Sequence, residues 1–148
     1  MILFIDDEEN YVRPYIDELR LSGYDVILET DVDAALEFFE GNYREIDLLI
    51  LDIMMAPGES FQDERTLFGR RTGLFFYERV RRKASDLPMI ALSNVYDPLS
   101  KISDERVKEL LDSDKRCWFY HKRMLLPFEL KEKVEEVLGG GEGISSPS

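Results

Sequence analysis

The segment DLLILD (residues 47–52) carries the strongest structural signal in the chain, because four consecutive apolar residues run into an aspartate. A run that is apolar at every position, rather than at alternate ones, is typical of a strand covered on both faces of a parallel sheet. A carboxylate at the end of such a strand is costly to desolvate unless a partner lies nearby. The segment therefore predicts a buried strand that delivers Asp52 to a polar site.

Four other short apolar runs read in the same way: ILFI (2–5), DVILE (25–29), MIAL (89–92) and CWFY (117–120). A segment with helical periodicity follows each of the five strands: residues 10–21, 32–41, 73–83, 103–112 and 127–138. Right-handed crossovers between such units predict an α/β fold, a doubly wound parallel sheet with helices on both faces.

Length and charge limit the possible functions. The 148 residues suit one domain, which we expect to span residues 1–138, with the Gly/Ser/Pro-rich residues 139–148 as a flexible tail or linker. The formal net charge of −12 argues against direct nucleic-acid binding, which needs a basic surface. One cysteine excludes an intrachain disulfide, and neither a signal peptide nor a membrane-length apolar run stands out. We therefore expect a cytoplasmic protein that does not associate with membranes.

Polar residues follow several predicted strands, at the edge of the sheet where ligands of open α/β folds bind. They are Asp6, Asp7 and Glu8 after the first strand, Asp52 after the third, Ser93 after the fourth and Lys122 after the fifth. Clustered carboxylates repel one another and need either raised pKa values or a cation. An oxygen-rich pocket favours Mg²⁺, and a lysine beside it suits a phosphoryl oxygen. This combination indicates a phosphoryl-transfer site with Asp52 as the nucleophile.

Four motifs, in this order, resemble the receiver domain of bacterial two-component response regulators: ILFIDDEE, DLLILDIMM, MIALSN and WFYHK. The resemblance covers roughly residues 1–138 and implies the flavodoxin-like receiver fold, with strand order 2-1-3-4-5. It also implies a regulatory domain rather than an enzyme, whose partners are a sensor histidine kinase or phosphotransfer protein and an unknown downstream protein.

The resemblance implies a role for each matching residue. Asp52 is the expected phosphoacceptor, and Lys122 and Ser93 are the expected contacts to its phosphoryl group. Mg²⁺ is the expected cofactor, and Phe119 the expected aromatic switch residue. The expected metal ligands are Asp6, Asp7, Asp52 and the backbone carbonyl of Met54.

The chain also departs from the family pattern. Arg123 follows the lysine where the family usually has proline, Asn94 follows the switch hydroxyl, and the segment 56–71 is longer than usual. A receiver-like binding module that is never phosphorylated therefore remains an alternative. A Mg²⁺-dependent aspartyl-phosphate phosphatase is a weaker one, because Met54 stands where such enzymes usually carry a second aspartate. A flavin-binding domain is a remote alternative, because the phosphate-binding loop that it would need after the first strand is missing from this sequence.

Overall fold

The computed structural model describes residues 1–53, 72–93 and 113–139. The regular elements in these ranges are β1 (Ile2–Ile5), α1 (Glu9–Leu21), β2 (Val26–Glu29), α2 (Val32–Asn42), β3 (Leu48–Asp52), α3 (Thr72–Lys83), β4 (Met89–Ser93), β5 (Cys117–His121) and α4 (Pro127–Gly139). Short 3₁₀ turns at Tyr43–Glu45 and Lys122–Met124 precede β3 and follow β5. These elements match the sequence-based boundaries to within one residue.

The five strands form one parallel sheet in the order β2-β1-β3-β4-β5, so the predicted fold class and strand order are confirmed. The register pairs Ile5 with Leu51 and Asp52 with Leu92. Because all strands point the same way, their carboxyl ends meet at a single edge. Asp52 is the last residue of β3 and lies at that edge.

Two apolar layers enclose the sheet. Leu3, Leu49 and Ala91 belong to the layer beneath α2 and α3. Their strand neighbours Ile2 and Ile50 belong to the other layer, beneath α1 and α4. Successive side chains of a strand point to opposite faces, so one continuous apolar run can supply both layers.

Local sequence signals explain where helices begin and end. The carboxylate of Asp31 accepts a hydrogen bond from the Ala34 amide at 2.9 Å, which caps α2. Gly23 follows α1 with φ = +97° and donates its N–H to the Arg20 carbonyl at 3.0 Å. A residue without Cβ adopts this left-handed conformation at little cost, so Gly23 terminates α1 as expected.

Several sequence-based predictions lie outside the described ranges. They concern Met54, the long segment 56–71, Asn94, the helix at 103–112 and the tail from residue 140. Across the three described ranges, every helix falls short of the length and hydropathy that a membrane span requires.

Candidate functional site

Side-chain alternation brings three polar residues to the same face at the carboxyl edge of the sheet. Asp6, Asp52 and Lys122 each come two positions after a residue packed beneath α1 and α4. Those three residues are Phe4, Ile50 and Tyr120. A period of two places the polar side chains on that same side of the sheet. The polar residues Asp6, Asp52 and Lys122 are almost fully buried, at 0%, 2% and 2% relative exposure.

The Lys122 ammonium lies at the centre of this site. Its Nζ is 2.9 Å from Oδ2 and 3.1 Å from Oδ1 of Asp6, and 3.5 Å from Oδ2 of Asp52. It also donates a hydrogen bond to Oε1 of Glu8. The buried lysine therefore has three carboxylate partners, supplied by the ends of β1 and β3 and by the turn before α1.

These contacts shift the ionisation of the site. Burial disfavours a charged Lys122, but the Asp52 carboxylate and the bonds to Glu8 and Asp6 outweigh it and raise the pKa of Lys122. Burial raises the pKa of Asp6, although the Glu8 amide and Lys122 oppose that shift. The hydrogen bond from Lys122 lowers the pKa of Glu8. Lys122 is therefore a cation at neutral pH, facing more carboxylates than it can neutralise.

The donor atoms fit a hard divalent cation. Carboxylate oxygens of Asp6, Glu8 and Asp52 all lie within 4.8 Å of one another. Oδ2 of Asp6 is buried and lies 2.9 Å from the Lys122 ammonium. Mg²⁺ prefers oxygen ligands and is held by one or two carboxylates together with water. Carboxylate oxygens this close together therefore fit the expected Mg²⁺.

The remaining predicted site residues have different positions. Asp7 is exposed and is not a member of the three-acid cluster found in the described ranges. Ser93 ends β4, and the backbone register pairs it with His121. Phe119 is half-buried against the layer beneath α2 and α3, with its ring centroid 6.1 Å from that of His121. The roles expected of Asp7, Ser93 and Phe119 stay predictions, as does the Met54 carbonyl.

Sequence reasoning missed the part that Glu8 plays in this site. Oδ1 of Asp6 accepts a hydrogen bond from the Glu8 amide at 2.8 Å, in a turn that precedes α1. The Glu8 side chain reaches Lys122 and also Arg123, whose Nη2 is 3.4 Å from Oε2. The Arg123 guanidinium lies 4.6 Å from the centroid of the Tyr11 ring. A second, more exposed set of charged contacts therefore borders the buried one.

Helix α3 approaches the Asp52 backbone very closely through Gly73. The Gly73 amide donates to the Ile53 carbonyl at 2.8 Å. A Cβ at this position would lie 2.4 Å from Cα of Ile53 and 2.7 Å from the carbonyl oxygen of Asp52. Glycine is therefore required where α3 supports the end of β3.

Proteins similar in sequence to this chain are transcriptional regulators. No protein-family model matches the chain. It is 31% identical over 137 residues to a probable transcriptional regulator, ycf27, of Porphyridium aerugineum. It is 26% identical over 147 residues to the alkaline phosphatase synthesis transcriptional regulatory protein PhoP of Bacillus subtilis. These matches cover 93% and 99% of the chain but only 47% and 51% of the relatives, so the chain spans about half their length.

Solved structures share the fold over nearly the whole chain. The receiver domain of the hybrid histidine kinase CckA superposes with a TM-score of 0.65 and 25% identity, covering 93% of this chain and 97% of that one. A CheY-like response regulator receiver domain protein from Methanospirillum hungatei gives 0.66 at 17% identity, covering 97% of both chains. The second likeness supports the fold alone. Taken with the sequence relatives and the acidic site at the strand ends, these findings identify the chain as a receiver domain of the response regulators of two-component signalling.

Proposed function

We propose that the chain accepts a phosphoryl group on Asp52 from the phosphohistidine of a sensor histidine kinase or phosphotransfer protein. The observation that carries this proposal is the buried ammonium of Lys122, 3.5 Å from the Asp52 carboxylate and 2.9 Å from Asp6. Burying such a cluster is costly, and a stability role alone gives little reason to retain it. A phosphoryl group carries negative charge on its outer oxygens, which a fixed ammonium stabilises.

The proposed step is a direct transfer. A carboxylate oxygen of Asp52 attacks phosphorus and forms an O–P bond while the P–N bond to the donor imidazole breaks. The imidazole nitrogen keeps the electron pair of the broken bond and takes a proton from solvent. Lys122 holds a phosphoryl oxygen, and its fixed position limits the reorganisation that the transfer requires.

A divalent cation belongs to this proposal. Asp6 and Asp52 would hold Mg²⁺, together with Asp7 and the Met54 carbonyl. When bound, the ion would offset the negative charge of the phosphoryl oxygens and of the carboxylates around them. The carboxylate oxygens of Asp6 and Asp52, which lie within 4.8 Å of each other, support this assignment.

The output is proposed to be a change in protein contacts. Ser93, at the end of β4, would turn its hydroxyl toward the phosphoryl group, and Phe119 would change position with it. A downstream protein would then recognise the altered surface. The chain itself would act as a regulatory domain, with no substrate turnover beyond its own phosphorylation and dephosphorylation.

Mass spectrometry after incubation with acetyl phosphate and Mg²⁺ tests the proposal. The wild type should gain one phosphoryl group, and Asp52→Asn should gain none. Asp47→Asn is a matched control, because Asp47 is an exposed carboxylate in the same segment, paired with the chain's amino terminus. It should be labelled like the wild type. An unlabelled wild type would favour the binding-module alternative, and steady phosphate release from a phosphomonoester would favour the phosphatase.

A further inference from the structure

Three carboxylates surround the Lys122 ammonium, and Asp52, at 3.5 Å, is the most distant of them. An ammonium group has three N–H bonds, and Asp6, Glu8 and Asp52 each provide an acceptor. A phosphoryl oxygen that binds Lys122 therefore competes with these acceptors for its N–H bonds. One of the carboxylates must then give up its contact with Lys122.

Glu8 is the acceptor that can leave most readily. Its side chain is 40% exposed, whereas those of Asp6 and Asp52 are 0% and 3% exposed. A carboxylate in a buried position regains no water when it leaves Lys122, whereas one at the surface does. Release of Glu8 therefore costs less than release of either aspartate.

A second cation lies beside Glu8. Nη2 of Arg123 is 3.4 Å from Oε2 of Glu8, the oxygen that Lys122 does not use. The guanidinium of Arg123 lies over the Tyr11 ring, 4.6 Å from its centroid. The hydroxyl of Tyr11 in turn donates to the Lys122 carbonyl at 3.3 Å. Arg123 is thus held where it can keep the Glu8 carboxylate after the bond to Lys122 has broken.

We propose that Glu8, Arg123 and Tyr11 form a latch on Lys122, here called the Glu8 latch. Glu8 is a positioning residue that occupies the ammonium donor needed by the incoming phosphoryl group. On phosphoryl binding the Glu8 carboxylate passes from Lys122 to Arg123 alone. The latch thereby sets how much phosphodonor is needed to phosphorylate Asp52. This inference rests on the proposed function, since it concerns the same lysine and the same phosphoryl group.

The first test compares Glu8→Gln with Glu9→Gln. Both variants remove one negative charge at the start of α1, but Glu9 pairs with Arg13 and its side chain is 52% exposed. The readout is the acetyl phosphate concentration that gives half-maximal phosphorylation rate at fixed Mg²⁺. In this reaction the Asp52 oxygen bonds to phosphorus, and acetate leaves with the electrons of the broken P–O bond. Glu8→Gln should lower that concentration by about two- to fivefold relative to Glu9→Gln, the range of a partly exposed ion pair.

A double-mutant cycle separates the latch from general electrostatics. Arg123→Gln removes the cation that receives Glu8, so it should raise the half-saturating concentration by about two- to fivefold in the wild type. In the Glu8→Gln background the same substitution should have no effect, because no carboxylate remains to be passed on. Equal effects of Arg123→Gln in both backgrounds would mean that the two charges act independently, and the latch would be wrong.

Metal binding without phosphodonor provides a third readout. Mg²⁺ titration followed by Trp118 fluorescence should give similar affinities for Glu8→Gln and Glu9→Gln. A loss of about tenfold or more in Glu8→Gln alone would make Glu8 a metal ligand instead, and would overturn the latch. A wild type that acetyl phosphate does not label at all would overturn the proposed function and the latch together. Labelling with equal half-saturation in the two glutamine variants would overturn the latch alone.

Discussion

Replacing Gly73 by alanine should destabilise the domain through a backbone clash at the end of β3. The new Cβ would lie 2.4 Å from Cα of Ile53, whereas ordinary contact begins near 3.4 Å. The clash is with backbone atoms of Asp52 and Ile53, so no side-chain rotation can relieve it. Helix α3 must therefore move away from β3 by about 1 Å. The same retreat would stretch the Gly73–Ile53 hydrogen bond from 2.8 Å beyond the usual limit.

The expected size of the effect follows from these terms. Overpacking costs about 1–3 kcal/mol and a lost hydrogen bond about 0.5–1.5 kcal/mol, while alanine in place of glycine in a helix recovers about 1 kcal/mol. The free energy of unfolding should fall by about 0.5–3.5 kcal/mol in total. Gly41→Ala is the matched control, because Gly41 lies in α2 and a Cβ added there would have nothing within 4 Å. That variant should gain about 0.5–1 kcal/mol.

Urea unfolding followed by Trp118 fluorescence measures both variants. With an m-value of about 2 kcal/mol per molar, the urea midpoints of the two variants should differ by about 0.5–2 M, with that of Gly73→Ala the lower. Equal midpoints, or a Gly73→Ala protein more stable than the wild type, would show that α3 does not press on the β3 backbone as described.

Three further substitutions test other contacts in the same urea assay. Lys122→Met leaves Asp6 and Asp52 without their buried cation and should cost about 3 kcal/mol, a loss that Mg²⁺ should partly reverse; an unchanged midpoint would contradict it. Gly23→Ala should cost about 1–2 kcal/mol because alanine is strained at φ = +97°. Asp114→Asn should cost about 1.5–3 kcal/mol at pH 7, since its carboxylate accepts hydrogen bonds from Tyr77 and Arg81. Burial tends to raise the pKa of Asp114, but these hydrogen bonds outweigh it and lower that pKa. The ionised Asp114 therefore contributes its full stabilisation at any pH above its ordinary pKa of 3.8. The difference in unfolding free energy between Asp114→Asn and the wild type should disappear as the pH falls through the lowered pKa of Asp114 in the folded protein. A difference that does not depend on pH would count against this ion pair.

The sequence predicted the sheet and the buried part of the site because both depend on strand alternation. Continuous apolar runs indicated strands covered on both faces, and the observed sheet has that form. Once Asp6, Asp52 and Lys122 are placed just beyond such strands, a period of two fixes the side of the sheet to which they point. Their convergence follows from local pattern and strand order.

Glu8 and Gly73 lay beyond this kind of reasoning. Glu8 follows the strand within a turn, where the Asp6 carboxylate binds the Glu8 amide and alternation no longer fixes side-chain direction. Its pairing with Lys122 and Arg123 joins residues more than 110 positions apart in the chain. The need for glycine at position 73 arises from the distance between α3 and β3, which depends on tertiary packing rather than on local sequence.

Two tyrosines of α1 connect the outside of the domain to the backbone around Lys122. Tyr11 donates to the Lys122 carbonyl and Tyr15 to the Leu125 carbonyl, and the two rings stack with centroids 5.8 Å apart. Both carbonyls belong to the short connection between β5 and α4. A rigid helix anchored at two points of one connection has to follow any displacement of that connection. A displacement of the backbone that carries Lys122 would therefore also displace α1.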